Sequence, residues 1–131
     1  LRSAGLSTAK ARTLLALSEK VSGGSVPLDE WLSDPPIDTI RATLLAVRGI
    51  GPWTIDYALL RGFGWLDGSL HGDAAVRRKL AILLASHEKL NADHVRDWLT
   101  TFAPWRALVA AHLWAMPAAS DVAPRLGQRS G

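Results

Sequence analysis

The sequence predicts an all-α fold, and three observations carry that prediction. Apolar side chains recur at helical spacing through most of the chain, as at Val95, Leu99 and Phe102. Glycine, proline and small polar residues interrupt these stretches where helices are expected to begin and end. No segment shows the period-two alternation of a half-buried strand. We therefore expect seven or so helices and no β-sheet.

Capping residues and apolar stripes set the expected boundaries of each helix. The expected starts carry residues that favour an N-cap or first-turn position: Ser7, Pro27, Asp34, Pro52, Asp73, Asn91 and Pro104. The expected last residues of the seven segments are Val21, Leu32, Val47, Gly62, Ala85, Phe102 and Met116. The side chains expected to face inward follow one stripe in each longer segment: Leu14, Leu17, Val21, Ile37, Ile40, Leu44, Val47, Val76, Leu80, Leu83, Val95, Trp98, Leu99 and Phe102.

Length and composition predict one folded domain with a short tail. The 131 residues are 48% hydrophobic, and we expect a domain over residues 1–117 and a disordered tail over residues 118–131. The net charge of +3 is compatible with a polyanionic partner but does not select one. The absence of cysteine excludes disulfides, a cysteine nucleophile and thiolate metal sites. Without an apolar run long enough to cross a bilayer, we expect a cytoplasmic protein. We also expect a monomer.

A glycine hairpin between two predicted helices is the first candidate site. In the run Arg48-Gly49-Ile50-Gly51, the glycines tolerate positive φ and allow close backbone approach, while Ile50 can fill the space between the helices. Amides at the start of the following helix lack intrahelical acceptors, so they can bind a phosphate. An ordinary helix–helix turn is the alternative, since glycine and proline are also common helix punctuation.

The helix after the hairpin carries aromatic residues. Trp53 and Tyr57 lie nearly opposite Ile55 and Leu59, so the helix is apolar on both sides. Such a helix is either fully buried or has one face that lines a pocket, and the pattern leaves both open.

Asp73 is the second candidate. It follows Gly72 and precedes a helical run, so it is either an N-cap or a carboxylate that acts on a substrate at a helix N-terminus, and the two roles are compatible. The four histidines, His71, His87, His94 and His112, do not have the spacing of a metal cluster.

These residues together resemble a known family. Gly49-Ile50-Gly51-Pro52-Trp53-Thr54, followed after a glycine-aromatic loop by Asp73, is similar to the helix–hairpin–helix DNA glycosylase superfamily, and within it to the 3-methyladenine DNA glycosylase II (AlkA) type. Further segments that fit this type are Trp53, Tyr57, Leu60-Arg61-Gly62, Pro104-Trp105-Arg106 and His112-Leu113-Trp114. The resemblance extends from about Leu1 to Met116.

The resemblance implies a role for each candidate. Asp73 corresponds to the family's catalytic aspartate, and Trp53, Tyr57 and Trp105 to aromatic walls around a flipped-out base. The hairpin would hold the DNA backbone. A cation bound by the main-chain carbonyls around Val47 and Gly49 would accompany it.

The resemblance also implies the activity. Family members that cut the strand carry a lysine where Trp53 stands, so it implies a monofunctional glycosylase that hydrolyses the N-glycosidic bond of alkylated bases in double-stranded DNA. No redox or organic cofactor is implied, and the expected location is the nucleoid.

Two departures from the family pattern limit the expectation. The AlkA type has a sheet domain and further helices before the position of Leu1, so we expect an incomplete helical domain that belongs to a longer polypeptide. Arg48 replaces the proline of the usual Leu-Pro-Gly hairpin. The alternatives are therefore a non-catalytic DNA-binding module, an inactive fragment or an α-helical interaction domain.

Overall fold

The computed structural model describes residues 4–117, which contain seven α-helices and no strand. The helices are α1 (Thr8–Ser22), α2 (Leu28–Ser33), α3 (Ile37–Leu45), α4 (Pro52–Phe63), α5 (Ala74–Leu83), α6 (Ala92–Thr100) and α7 (Arg106–Ala115). The predicted all-α class is confirmed, and the predicted tail, residues 118–131, lies outside the described residues. No helix within residues 4–117 is long and apolar enough to cross a membrane.

The chain divides into two compact units between Gly68 and Ser69. Unit 1 contains α1 to α4, with α4 packed against α3 and α2. One cluster of buried core residues in unit 1 consists of Val26, Trp31, Ile40, Leu44, Ile55 and Leu59. Unit 2 contains α5 to α7, and each of these helices packs against the other two. Its buried apolar residues are Leu70, Val76, Leu80, Val95, Leu99, Ala107, Ala110 and Leu113.

Three helices begin at the side-chain caps that the sequence predicts. Ser7 Oγ accepts from the Lys10 amide at 3.3 Å, and Asn91 Oδ1 accepts from the His94 amide at 2.8 Å. Asp73 caps α5 in the same way. Each side chain satisfies one first-turn amide that has no intrahelical acceptor.

Two predicted helix starts are wrong. Asp34 does not cap α3: it is the C-cap of α2, and Pro36 occupies the N-cap position of α3. Asp34 has an extended backbone, which is the conformation favoured immediately before a proline. Pro104 does not begin α7, because a turn closed by the Trp105 amide and the Phe102 carbonyl, 2.7 Å apart, comes before Arg106.

Several side chains predicted to face inward are exposed. Those at Leu14, Val21, Leu83 and Phe102 are exposed, whereas Val76, Leu80, Val95 and Leu99 are buried as expected. Periodicity identifies which face of a helix is apolar but not how far along that face neighbouring elements extend. Phe102 lies beyond the end of α6, so the helical stripe does not reach it.

Candidate functional site

The predicted hairpin joins α3 to α4 in unit 1. The Ile50 amide donates to the Val47 carbonyl at 3.1 Å and closes the turn. Gly49 has a φ of 94°, in the left-handed region that favours glycine. Gly51 is the extended N-cap of α4 and Pro52 occupies its first turn. With glycine as its N-cap, α4 has no side chain of its own to occupy its N-terminal amides.

Thr13 on α1 contacts this hairpin directly. Its Oγ1 lies 3.0 Å from the Arg48 carbonyl oxygen and 3.1 Å from the Ala9 carbonyl oxygen of its own helix. A Cβ at position 49 would overlap Thr13 Oγ1 and lie 3.2 Å from Thr13 Cβ. Glycine is therefore required at position 49 both by its φ and by the approach of α1.

The aromatic side chains of α4 are exposed. Trp53 and Tyr57 stack with ring centroids 5.3 Å apart and an interplanar angle of 16°, and they are 42% and 38% exposed. The Arg61 guanidinium lies 5.8 Å from the Tyr57 ring centroid. Of the two interpretations that the sequence left open, a fully buried helix is therefore excluded, and the base-pocket role of this pair stays a prediction.

Behind the aromatic pair, α4 carries a buried carboxylate that the sequence analysis missed. Asp56 is 5% exposed and forms an ion pair with Arg41 of α3. The Arg41 guanidinium also lies 5.8 Å from the Trp65 ring centroid. Gly68 fits against Asp56, since a Cβ there would lie 3.0 Å from Asp56 Cβ. An aspartate between Ile55 and Tyr57 in an otherwise largely apolar helix was the available signal, because a buried charge requires a partner.

Asp73 lies in unit 2, at the N-terminus of α5. Its Oδ1 accepts from the Val76 amide at 2.8 Å and from Trp114 Nε1, on α7, at 3.2 Å. The capping role is thus confirmed. Trp114 lies forty-one positions after Asp73 in the chain, so the contact between them could not be derived from the local sequence. Together the two donors orient the carboxylate and stabilise its charged form.

Trp105, the third predicted aromatic wall, is the N-cap residue of α7 and is 54% exposed. Asp73 and Trp105 belong to unit 2, whereas Arg48, the hairpin glycines and the Trp53–Tyr57 pair belong to unit 1. The predicted site residues are therefore divided between the two units.

Unit 2 also has a groove of about 660 Å³ along α5. Basic side chains from Arg77, Arg78 and Lys89 line it, together with the apolar side chains of Ile82 and Leu90. Such a lining is favourable for an anionic group. Within residues 4–117, no group of three or more histidine, aspartate or glutamate side chains could hold a metal ion.

Comparisons with known proteins point to one family. No protein-family model matches the chain. The chain is 31% identical over 112 residues to a Mycobacterium tuberculosis protein named "Probable bifunctional transcriptional activator/DNA repair enzyme AlkA", covering 81% of this chain and 20% of that protein. It is 24% identical over 114 residues to the Escherichia coli (strain K12) "DNA-3-methyladenine glycosylase 2", covering 87% of this chain and 37% of that protein.

A third relative agrees. The Bacillus subtilis (strain 168) "DNA-3-methyladenine glycosylase" is 21% identical over 105 residues, which are 80% of this chain and 34% of that protein. The chain thus spans between 20% and 37% of the length of these curated relatives. Because the matches cover most of the chain and their names agree, they support the AlkA-type DNA glycosylase family, with this chain similar to a part of its members' length.

Proposed function

We propose that this chain is the hairpin and carboxylate portion of a monofunctional DNA glycosylase that removes alkylated bases of the 3-methyladenine type from double-stranded DNA. The observation that carries the proposal is Asp73, a carboxylate at a helix N-terminus that is oriented by the Val76 amide and the Trp114 indole. The names of the relatives support the substrate class.

The chemistry requires only one carboxylate. A base alkylated on a ring nitrogen is already cationic, so its C1′–N bond can break with the electron pair leaving on the base. The base departs neutral and the sugar becomes oxocarbenium-like. The Asp73 carboxylate stabilises that positive charge, and water then adds through its oxygen to C1′. The proton released by water passes to Asp73 or to solvent.

The residues of unit 1 supply DNA recognition in this proposal. The amides at the uncapped start of α4 bind a backbone phosphate, and the exposed Arg48 adds positive charge beside them. The Trp53–Tyr57 pair stacks on the extruded base. Stacking and cation–π attraction favour an electron-poor base by on the order of 1–3 kcal/mol. Trp105 is assigned to the same base pocket by the resemblance alone.

Two further parts of the proposal concern what the site does not use. Since Trp53 has no amine, no Schiff base can form at that position, and the strand is left uncut. No redox or organic cofactor takes part.

A monovalent cation would bind the carbonyls of Val47 and Gly49. The Val47 oxygen accepts one hydrogen bond, from the Ile50 amide, and has a second lone pair for the cation.

The decisive experiment measures the products formed from DNA that contains radiolabelled methylated bases. We expect release of 3-methyladenine with an intact abasic strand, by this chain or by the longest natural polypeptide that contains it, and loss of that release in Asp73→Asn. Borohydride should trap no covalent complex.

The same assay addresses the main alternative, a non-catalytic DNA-binding module. That function predicts salt-sensitive duplex binding without base release, and binding that Asp73→Asn leaves unchanged or strengthens. Wild-type polypeptides that bind duplex DNA and release no base would overturn the glycosylase proposal in favour of this module.

A further inference from the structure

The contact between α1 and the hairpin has a consequence for backbone binding. Within residues 4–117, Ala11 is the buried hydrophobic residue of α1, the partly buried Leu17 packs against the core of unit 1, and Leu14 and Leu15, which follow Thr13, are exposed. The hydroxyl of Thr13 adds a polar contact with Arg48 to this limited apolar burial.

The Arg48 carbonyl, which accepts from the Thr13 hydroxyl, determines the direction of the Gly49 amide. The Arg48–Gly49 peptide is trans, so its carbonyl and its N–H point in opposite directions. Because the Arg48 carbonyl points towards Thr13 on α1, the Gly49 amide points away from α1. Within residues 4–117, that amide donates no backbone hydrogen bond.

We propose that Thr13 is a positioning residue of the DNA backbone grip: its hydroxyl holds the Arg48–Gly49 peptide so that the Gly49 amide faces a phosphate. This inference rests on the proposed function of the hairpin. The Arg48–Gly49 peptide is the central peptide of the turn that Ile50 and Val47 close, and the conformational freedom of glycine allows this peptide to rotate, so the bond from Thr13 favours one orientation of it. Selecting it before binding lowers the entropy cost of the complex.

An ordinary role for Thr13 is the alternative. A threonine within a helix commonly donates to the carbonyl four residues earlier, and here the Ala9 oxygen is 3.1 Å away. The hydroxyl has one proton to share between the Ala9 and Arg48 carbonyls. Only the bond to Arg48 acts on the hairpin, so the two roles predict different responses of Gly49.

The test compares Thr13→Val, which keeps the shape but removes the hydroxyl, with Thr13→Ser, which keeps the hydroxyl. Thr8→Val, the same chemical change at an exposed position of α1, is the matched control. The affinity of each for a fluorescein-labelled duplex with an abasic-site analogue is measured by anisotropy. We expect Thr13→Val to bind about three- to tenfold more weakly, and the other two variants to bind like wild type.

A second measurement needs no DNA. In Thr13→Val, the amide resonance of Gly49 should shift and exchange faster with solvent, while in Thr13→Ser and Thr8→Val it should stay near its wild-type position. Thermal unfolding of each variant detects a general loss of folding. Such a loss would shift resonances throughout unit 1 and not only that of Gly49.

The outcomes separate this inference from the proposed function. If the wild-type polypeptide binds duplex DNA and Thr13→Val binds it equally well, the role of Thr13 is overturned and the proposed function stands. An unchanged Gly49 resonance in Thr13→Val would also overturn it. Failure of the wild-type polypeptide to bind any duplex would overturn the proposed function of the hairpin, and the role of Thr13 with it.

Discussion

The helix starts of α4 and α5 are similar in backbone but opposite in how their amides are used. At α4 the N-cap is Gly51, which has no side chain, so the helix terminus can bind an external anion. At α5 the N-cap is Asp73, whose carboxylate already occupies the Val76 amide. In the proposed function, the first terminus receives a phosphate and the second holds a negative charge beside a cationic sugar. The comparison therefore predicts that the cap residue determines which use a helix start has.

The largest expected effect comes from removing the charge at Asp73 while keeping the cap. Asparagine is as good an N-cap as aspartate, so Asp73→Asn should retain the bond to Val76 and the unfolding temperature. Base release should fall by about 10²- to 10³-fold, as when other preorganised electrostatic groups are removed. Single-turnover kinetics on methylated DNA measure the fall. A rate near that of wild type would contradict the catalytic role.

Two variants separate the cap from the charge. Asp73→Ala removes both, so it should lose base release and also about 1 kcal/mol of stability. Asn91→Ala removes the cap of α6 alone and should cost a similar amount of stability with base release retained. Equal stability of Asp73→Asn and Asp73→Ala would show that the cap contributes little.

The start of α4 has a charged support further along the same helix. The buried Asp56 of α4 forms an ion pair with Arg41 of α3. Arg41→Met should leave the Asp56 carboxylate buried without its cation. Because Arg41 is itself about one-third exposed, we expect a loss of about 2–3 kcal/mol, below the range for fully buried pairs. Urea unfolding measures it.

The double variant Arg41→Met/Asp56→Asn is the control for this pair. It removes the buried charge together with its partner, so it should recover part of the stability that Arg41→Met loses. If the single variant is as stable as wild type, solvent or another group compensates Asp56, and the pair does not support α4.

Exchanging the cap at α4 tests the comparison directly. Gly51 has an extended backbone, and a Cβ there would meet no atom within 4 Å, so Gly51→Asp should be accommodated. The new carboxylate should occupy the first-turn amides and repel a phosphate, lowering duplex affinity about tenfold or more while stability stays equal or rises by about 0.5–1 kcal/mol.

The matched control is Gly51→Ser, which offers a neutral cap. It should lower duplex affinity less than Gly51→Asp, because it competes for the amides without adding charge. Anisotropy at two salt concentrations measures both. Full duplex affinity in Gly51→Asp would show that the start of α4 does not bind phosphate.

How much the sequence predicts follows from the range of each interaction. The caps at Ser7, Asp73 and Asn91 act over three residues, so the pattern of the local sequence contains them. The prediction that Asp34 caps α3 was wrong because two prolines follow it at the same helix boundary. The preference of aspartate for N-cap positions does not indicate which of these residues begins the helix.

The supports of the candidate site were missed because they join distant positions. Thr13 and Arg48 are thirty-five positions apart, and Asp73 and Trp114 are forty-one apart. No local periodicity links such pairs. The local pattern identified Asp73 and the hairpin, and the resemblance to the AlkA type gave them their expected roles. The resemblance included Trp114 in a matching segment without a contact to Asp73, and it did not include Thr13 as a support of the hairpin.

The smallest expected effect concerns the indole that supports Asp73. Trp114→Phe keeps an aromatic side chain on α7 and removes the Nε1 donor, so Asp73 keeps the bond from the Val76 amide but loses the bond from the indole. A neutral donor to a charged acceptor contributes about 1.5–3 kcal/mol at most, and partial exposure of Trp114 lowers this. We expect base release to slow by about three- to tenfold with duplex affinity unchanged. Slower base release with unchanged duplex affinity would assign Trp114 to orienting the carboxylate. An indole that contacts DNA would change the affinity, and an indole that only packs within unit 2 would change the unfolding temperature alone.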